Sequence, residues 1–230
     1  NISLDRAIPI TYAPAGAPTA VRATVSAGMK AGPVLVGDDA IVATTAGDLI
    51  RVSFTGNRGS SRVLFNTGAE ILHAPALVDK TLYVGSGNGL VHALDLNGKV
   101  IWKCQVTASC YGTPAVDATS VYVADLQGHV HAIDRRTGKL RWSKHIAPYS
   151  IEMAMLLHEG TLYFGAWDGQ VYAVDAATGS VKWKARSPGG QKEAKFTSRY
   201  YAAADASPVI IGERLFMADR AYRFGMYDLS

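Results

Sequence analysis

Three stretches of this chain line up on one another: Thr81-Leu-Tyr-Val-Gly-Ser-Gly-Asn-Gly-Leu-Val-His-Ala-Leu-Asp95, Val121-Tyr-Val-Ala-Asp-Leu-Gln-Gly-His-Val-His-Ala-Ile-Asp134 and Thr161-Leu-Tyr-Phe-Gly-Ala-Trp-Asp-Gly-Gln-Val-Tyr-Ala-Val-Asp175. Each is a β-branched and aromatic segment, a glycine-bearing turn, a second such segment and a closing aspartate. Asp95 to Asp134 spans 39 residues and Asp134 to Asp175 spans 41, while Trp102, Trp142 and Trp183 keep step at 40 and 41. A fixed period of about 40 marks a repeat architecture in which each unit is one supersecondary element. A weaker copy runs from Arg214-Leu-Phe-Met-Ala-Asp219 to Tyr227-Asp228. A degenerate earlier one runs from Pro33-Val-Leu-Val36 through Ala46-Gly-Asp-Leu-Ile-Arg-Val52 to Arg62-Val-Leu-Phe65.

Within a unit the segments are short and separated by Gly, Asp or Thr-Gly turn signals, as in Thr113–Asp117, Ser120–Ala124, His129–Asp134 and Leu140–Lys144. No segment holds an apolar period of 3.6 beyond two turns, so almost no helix is expected. Four short antiparallel strands per unit, repeated radially, make a β-propeller blade. The chain therefore reads as all-β, a single propeller domain over 1–230 with repeats at about 31–69, 72–107, 111–146, 151–186 and 201–230. The last unit stops at Ser230 after its third strand, and the stretch 19–27 is placed to complete a blade as a closing strand. Either a closed five-bladed ring or part of a larger ring satisfies this pattern.

Composition narrows the classes. The 230 residues are 48% hydrophobic and 18% charged, enough apolar material for a core, which excludes intrinsic disorder. No apolar run approaches the roughly 18 residues of a membrane span. The net charge of +4 is scattered along the chain, so no nucleic-acid partner is expected. Two cysteines exclude a disulfide scaffold and a four-cysteine zinc site. Beginning at Asn1, without a start methionine or signal peptide, the sequence reads as a processed or trimmed chain.

The closing segments carry a resemblance. Asp95-Leu-Asn-Gly-Lys-Val-Ile-Trp102, Asp134-Arg-Arg-Thr-Gly-Lys-Leu-Arg-Trp142 and Asp175-Ala-Ala-Thr-Gly-Ser-Val-Lys-Trp183 resemble the tryptophan-docking repeat of the PQQ-like, quinoprotein-type β-propellers. The likeness covers three repeats well and two loosely. It implies a ring of seven or eight blades and an exported protein. It also spans two kinds of function, since the group holds quinoprotein dehydrogenases and a propeller lipoprotein of the outer-membrane β-barrel assembly machinery. Beside it stands the plain reading of the residues: Asp and Thr-Gly build the turn between third and fourth strands, and Trp102, Trp142 and Trp183 leave the outer strand to dock on the next blade.

The chemistry-bearing residues are sparse. His92, His131 and Tyr172 recur at one repeat position and so serve blade packing. His129 and His131 alternate as His-x-His without a third partner at recognisable spacing, so no metal is expected. Cys104 and Cys110 flank the passage between two units and are either a disulfide or two small apolar packers. The exported habit of the resembled family favours the disulfide, although the adjacent cysteine pair of its alcohol dehydrogenases is missing here. Serines never stand in a Gly-x-Ser-x-Gly context, and the glycines of Gly85–Gly89 join two strands, so no catalytic residue is assigned.

One insert breaks the period. Asp175 to Asp228 spans 53 residues, about a dozen over the period, and the stretch that holds the excess, 184–206, is basic and aromatic with Lys195, Arg199, Tyr200 and Tyr201. It falls where an outer strand hands over to the next inner one, on the face that also collects Tyr111, Asp125, Trp167, Asp168 and Arg220. That mixed rim is the expected contact for a protein or a small polar or anionic ligand at the funnel. The expected function is a non-catalytic binding or scaffold propeller, periplasmic or extracellular, with no cofactor. The alternatives are a PQQ- and Ca²⁺-dependent dehydrogenase, for which Asp125, Asp168 and Trp167 are the only suspects, and a ligand-sensing module of a larger receptor or enzyme.

Overall fold

The structure, a computed structural model, describes residues 25, 27–55, 58–189, 206–219 and 223–230. Among them every regular element is a strand. The first sheet pairs β1 (Val34–Val36), β2 (Asp39–Ala43), β3 (Asp48–Thr55) and β4 (Arg58–Asn66) in chain order. The second holds β5 (Ala76–Val78), β6 (Thr81–Gly85), β7 (Leu90–Asp95) and β8 (Val100–Gln105). The third holds β9 (Ala115–Val116), β10 (Ser120–Ala124), β11 (His129–Asp134) and β12 (Leu140–His145). The fourth is β13 (Leu156–His158), β14 (Thr161–Gly165), β15 (Gln170–Asp175) and β16 (Val181–Arg186). The fifth has three strands, β17 (Val209–Ile211), β18 (Arg214–Ala218) and β19 (Phe224–Asp228). Every pairing is antiparallel, so each sheet is a blade of the expected propeller type.

Local chemistry sets these elements. Asp134 Oδ1 accepts from the backbone N–H and hydroxyl of Thr137, both at 2.8 Å, and Asp175 repeats the arrangement with Thr178. Gly138 and Gly179 follow at φ of 72° and 70°, where a side chain is disfavoured. The outer strand carries a bulge in all four complete sheets, directly beyond the turn in the second to fourth and near the end of β4 in the first, so that Leu64, Ile101, Arg141 and Lys182 are the extra residues. A bulge re-aims the side chains beside it. Here it sets the following residue, Trp102, Trp142 or Trp183, on the face toward the next sheet.

The core lies between sheets, not within one. Four clusters of buried residues each bridge one junction: Ile41 and Leu49 with Leu82 and Leu94, Val91 and Trp102 with Val121 and Ile133, Tyr122 and Val130 with Phe164 and Tyr172, Tyr163 and Val171 with Leu215 and Met217. The tryptophans complete these junctions. Trp102 Nε1 donates to Arg135 O at 2.8 Å and Trp142 Nε1 to Ala176 O at 3.1 Å, each acceptor in the following sheet. Trp183 stacks on Tyr227 at 6.1 Å. In the degenerate first sheet Phe65 takes the tryptophan's place, packing 5.0 Å from the His92 ring.

The short first strands β5, β9 and β13 approach one another and form the inner edge. Gly112, just ahead of β9, passes so near Met153 that a Cβ would lie 2.4 Å from its carbonyl oxygen. The closing strand expected at 19–27 falls almost wholly outside the described residues; Val25 packs against Val42, Ile50 and Val52 on the outer face of the first sheet. On the far side, the fifth sheet exposes Val209, Ile211, Phe224 and Met226.

Candidate functional site

In an antiparallel blade the loops from second to third strand and from one sheet to the next share one face; the remaining turns share the other. The first face is laced together across sheets. Leu126 N donates to Ser109 O at 3.0 Å and Trp167 N to Ser150 O at 3.1 Å. The Ser109 and Ser150 hydroxyls answer by donating to Gly87 O and Leu126 O. Tyr111, which the sequence places on this rim, is half-buried, and its hydroxyl donates to Glu70 Oε1 at 2.5 Å. That hydrogen bond, with one from Glu70's own backbone, holds the Glu70 carboxyl below its ordinary 4.5 and raises the Tyr111 phenol. Asn88 and Gln127 stand exposed at the tips of their turns.

Asp125 corrects the sequence reading. It is wholly buried, with Oδ1 accepting from the N–H groups of Gln127 and His129 at 2.9 and 3.0 Å, and Oδ2 lying 3.1 Å from His131 Nε2. Burial acts to raise its carboxyl; the hydrogen bonds from His131, His129 and Gln127 outweigh that and hold it below 3.8. It is the keystone of its turn and is closed to a partner. Asp168, half-buried two places further along its own turn, accepts from Gln170 N at 3.0 Å and from the Tyr172 hydroxyl at 2.5 Å. Trp167 beside it is half-buried.

These groups do not fit the calcium and quinone alternative. Asp125 and Asp168 belong to different sheets, and each carboxylate is engaged by its own turn. Among the described residues no group of three His, Cys, Asp or Glu is arranged to hold a metal ion. Cys104 and Cys110 are free and buried, so the bridged alternative is not realised. Burial pushes the Cys110 thiol up to about 11 and raises Cys104 as well, leaving both as small apolar packers rather than nucleophiles. Lys195, Arg199, Tyr200, Tyr201 and Arg220 lie outside the described residues.

The opposite face holds groups the sequence reading passed over. Arg135 reaches back across the junction of second and third sheets: Nε donates to the Tyr83 hydroxyl at 3.0 Å, Nη1 to Asp117 O at 3.1 Å and Nη2 to Asp79 Oδ2 at 2.6 Å. Its signal was a departure from the repeat, since the equivalent positions are Leu96 and Ala176.

A family model described as outer membrane protein assembly factor BamB matches residues 55–230. The chain belongs to the BamB family. BamB of Moranella endobia (strain PCIT) is 29% identical over 154 residues, 60% of this chain and 39% of that protein. The crystal structure of BamB from Moraxella catarrhalis matches with a TM-score of 0.69 at 19% identity, over 91% of this chain and 61% of that one. Quinohemoprotein alcohol dehydrogenase from Comamonas testosteroni gives 0.68 at 16% identity, covering 88% of this chain and 41% of its own. Identities this low show a shared fold and no more. The matched stretches cover 39%, 25% and 26% of the length of three curated BamB proteins, so this chain matches only part of each. Among the described residues no helix is long and apolar enough to cross a membrane.

Proposed function

We propose that this chain is a non-catalytic binding module of the BamB kind, working outside the cytoplasm and docking proteins of outer-membrane assembly on its loop face. The family match over 55–230 carries the reading. The loop face supports it: among the described residues Asp125 and Asp168 are tied into their own turns and Glu70 is held by Tyr111 from another loop, which suits a rigid platform. The exposed tips at Asn88 and Gln127, the half-buried Tyr111, Trp167 and Asp168, and the insert with Lys195, Arg199, Tyr200 and Tyr201 are the proposed contacts. Arg220 joins them by its place in the repeat. Arginine and tyrosine supply bidentate hydrogen bonding and rigid contact area at little entropic cost.

Site-specific photo-crosslinkers at Asn88 and Gln127 test this, with Ala177 on the opposite face as the control. Crosslinks to an outer-membrane assembly protein from the first two positions and not from Ala177 are expected. Crosslinks from Ala177 alone would move the site to the other face. Combined replacement of Lys195, Arg199, Tyr200 and Tyr201 is expected to abolish that crosslinking; crosslinking as in the wild type would remove the insert from the site. A spectral titration with PQQ and Ca²⁺ addresses the rival directly: tight, calcium-dependent binding would overturn the non-catalytic reading.

A further inference from the structure

On the face away from the loops, a groove of about 480 Å³ opens between the second and third sheets, lined by Asp79, Thr81, Tyr83, Thr119, Asp134 and three arginines, Arg135, Arg136 and Arg141. The arginines depart from the repeat. Where the third sheet has Arg135-Arg136, the second has Leu96-Asn97 and the fourth Ala176-Ala177. Residues that repeat serve the blade; a charged pair present in one unit alone needs another reason. Arg135 has one within the fold, because its three hydrogen bonds span the junction and leave it fixed. Arg136 has none. It is exposed and makes no hydrogen bond or ion pair among the described residues. Arg141 is the bulge residue of β12, and among the described residues only its Nη2 is engaged, on Asp134 Oδ2 at 2.5 Å. Its remaining N–H groups are uncommitted.

We propose that this groove binds an acidic peptide segment, with Arg136 and Arg141 as the forks that take its carboxylates. The groove already displays the chemistry: Asp79 and Asp134 hold Arg135 and Arg141 through single guanidinium–carboxylate contacts. Three guanidiniums face two carboxylates, so the lining keeps a surplus positive charge. A planar fork with two free N–H groups accepts a carboxylate in bidentate fashion. A lone small anion is a poor occupant of so open a site, since an exposed ion pair is worth little. A segment lying along the groove adds a second carboxylate and contacts to Thr81 and Thr119. The site is on the face opposite the proposed docking platform and does not depend on it.

The test is fluorescence anisotropy on the full chain with a fluorescein-labelled Gly-Glu-Gly-Glu-Gly peptide, its Gln counterpart, and inorganic phosphate as competitor. Binding of the Glu peptide that weakens with salt is expected, with no binding of the Gln peptide. Arg136→Gln is expected to weaken it severalfold, and Arg136→Gln with Arg141→Gln about tenfold or more. Arg136→Lys, which keeps the charge and loses the fork, should fall between wild type and Arg136→Gln. An unchanged thermal melt in Arg136→Gln shows that the loss is one of binding. Equal affinity in the variants, equal binding of the Gln peptide, or no binding of the Glu peptide at millimolar concentration overturns the proposal. So does saturation by phosphate at concentrations where the peptide is not bound.

Discussion

The indole of Trp142 performs two tasks at one junction. Its ring packs over Gly179 of the next sheet, where a Cβ would lie 2.9 Å from the ring carbons, and its Nε1 donates to Ala176 O. Trp142→Ala removes both and is expected to lower stability by about 2–4 kcal/mol, while Trp142→Phe keeps much of the packing and should lose about 1 kcal/mol for the hydrogen bond. Urea unfolding of the two variants separates the contributions; a loss below about 1 kcal/mol for Trp142→Ala would place the ring outside the junction. Glu70 and Tyr111 offer a residue-scale test of a different kind. The Tyr111 hydroxyl depresses the Glu70 carboxyl, so the bond favours the folded state above the ordinary 4.5 and is lost as the pH falls below it. Tyr111→Phe is expected to move the NMR-titrated Glu70 back toward 4.5. A Glu70 that titrates unchanged would mean the pair does not form in solution.

At the scale of the element, the turns were legible and their surroundings were not. Asp134, Thr137 and Gly138 announce a turn because each does something there that few other residues do, and the tryptophan period locates the outer strands. The sequence does not say which side of a turn faces solvent. Asp125 and Gln127 sit two places apart, yet one is wholly buried and the other exposed. Their place in the repeat puts both on one turn and says nothing of which side chain turns inward. Arg135 stands out from the repeat, but what it holds does not: its partners Asp79 and Tyr83 lie more than fifty residues away along the chain, and no periodicity links them. Phe65 stands in for a tryptophan, so the first junction read only as a degenerate copy. Two glycines of matched backbone separate turn strain from junction packing. Gly138 and Gly160 have φ of 72° and 70°, but a Cβ on Gly138 would lie 2.8 Å from the Trp102 ring, while on Gly160 it meets open space. Gly160→Ala should cost about 1 kcal/mol for its backbone alone, and Gly138→Ala a further 1–3 kcal/mol for overpacking. Equal losses in thermal or urea melts would mean that the turn does not press on the neighbouring sheet.

Across the whole molecule, the four interfacial cores make each sheet depend on its immediate neighbours. Stability in such an array is close to a sum of unit and nearest-neighbour contributions. Where a junction is cut should therefore matter more than how large the lost side chain is. Trp142→Ala weakens the contact between third and fourth sheets, dividing the described array into one block of three sheets and another of two. Trp183→Ala weakens the contact of the fourth sheet with the fifth, where Trp183 meets Tyr227. Hydrogen exchange under mild denaturant reads the difference strand by strand. In Trp142→Ala the amides of β14, β15 and β18 are expected to lose protection together and at a different denaturant concentration from those of β6 and β10. In Trp183→Ala the loss should be confined to β18 and β19, with β6, β10 and β14 protected as in the wild type. The buried β6, β10 and β14 are suitable reporters because their amides open only when a sheet opens. Uniform loss of protection across every sheet in both variants would show that the repeats fold as one indivisible unit. The junctions could then not be treated as separate contributions to stability.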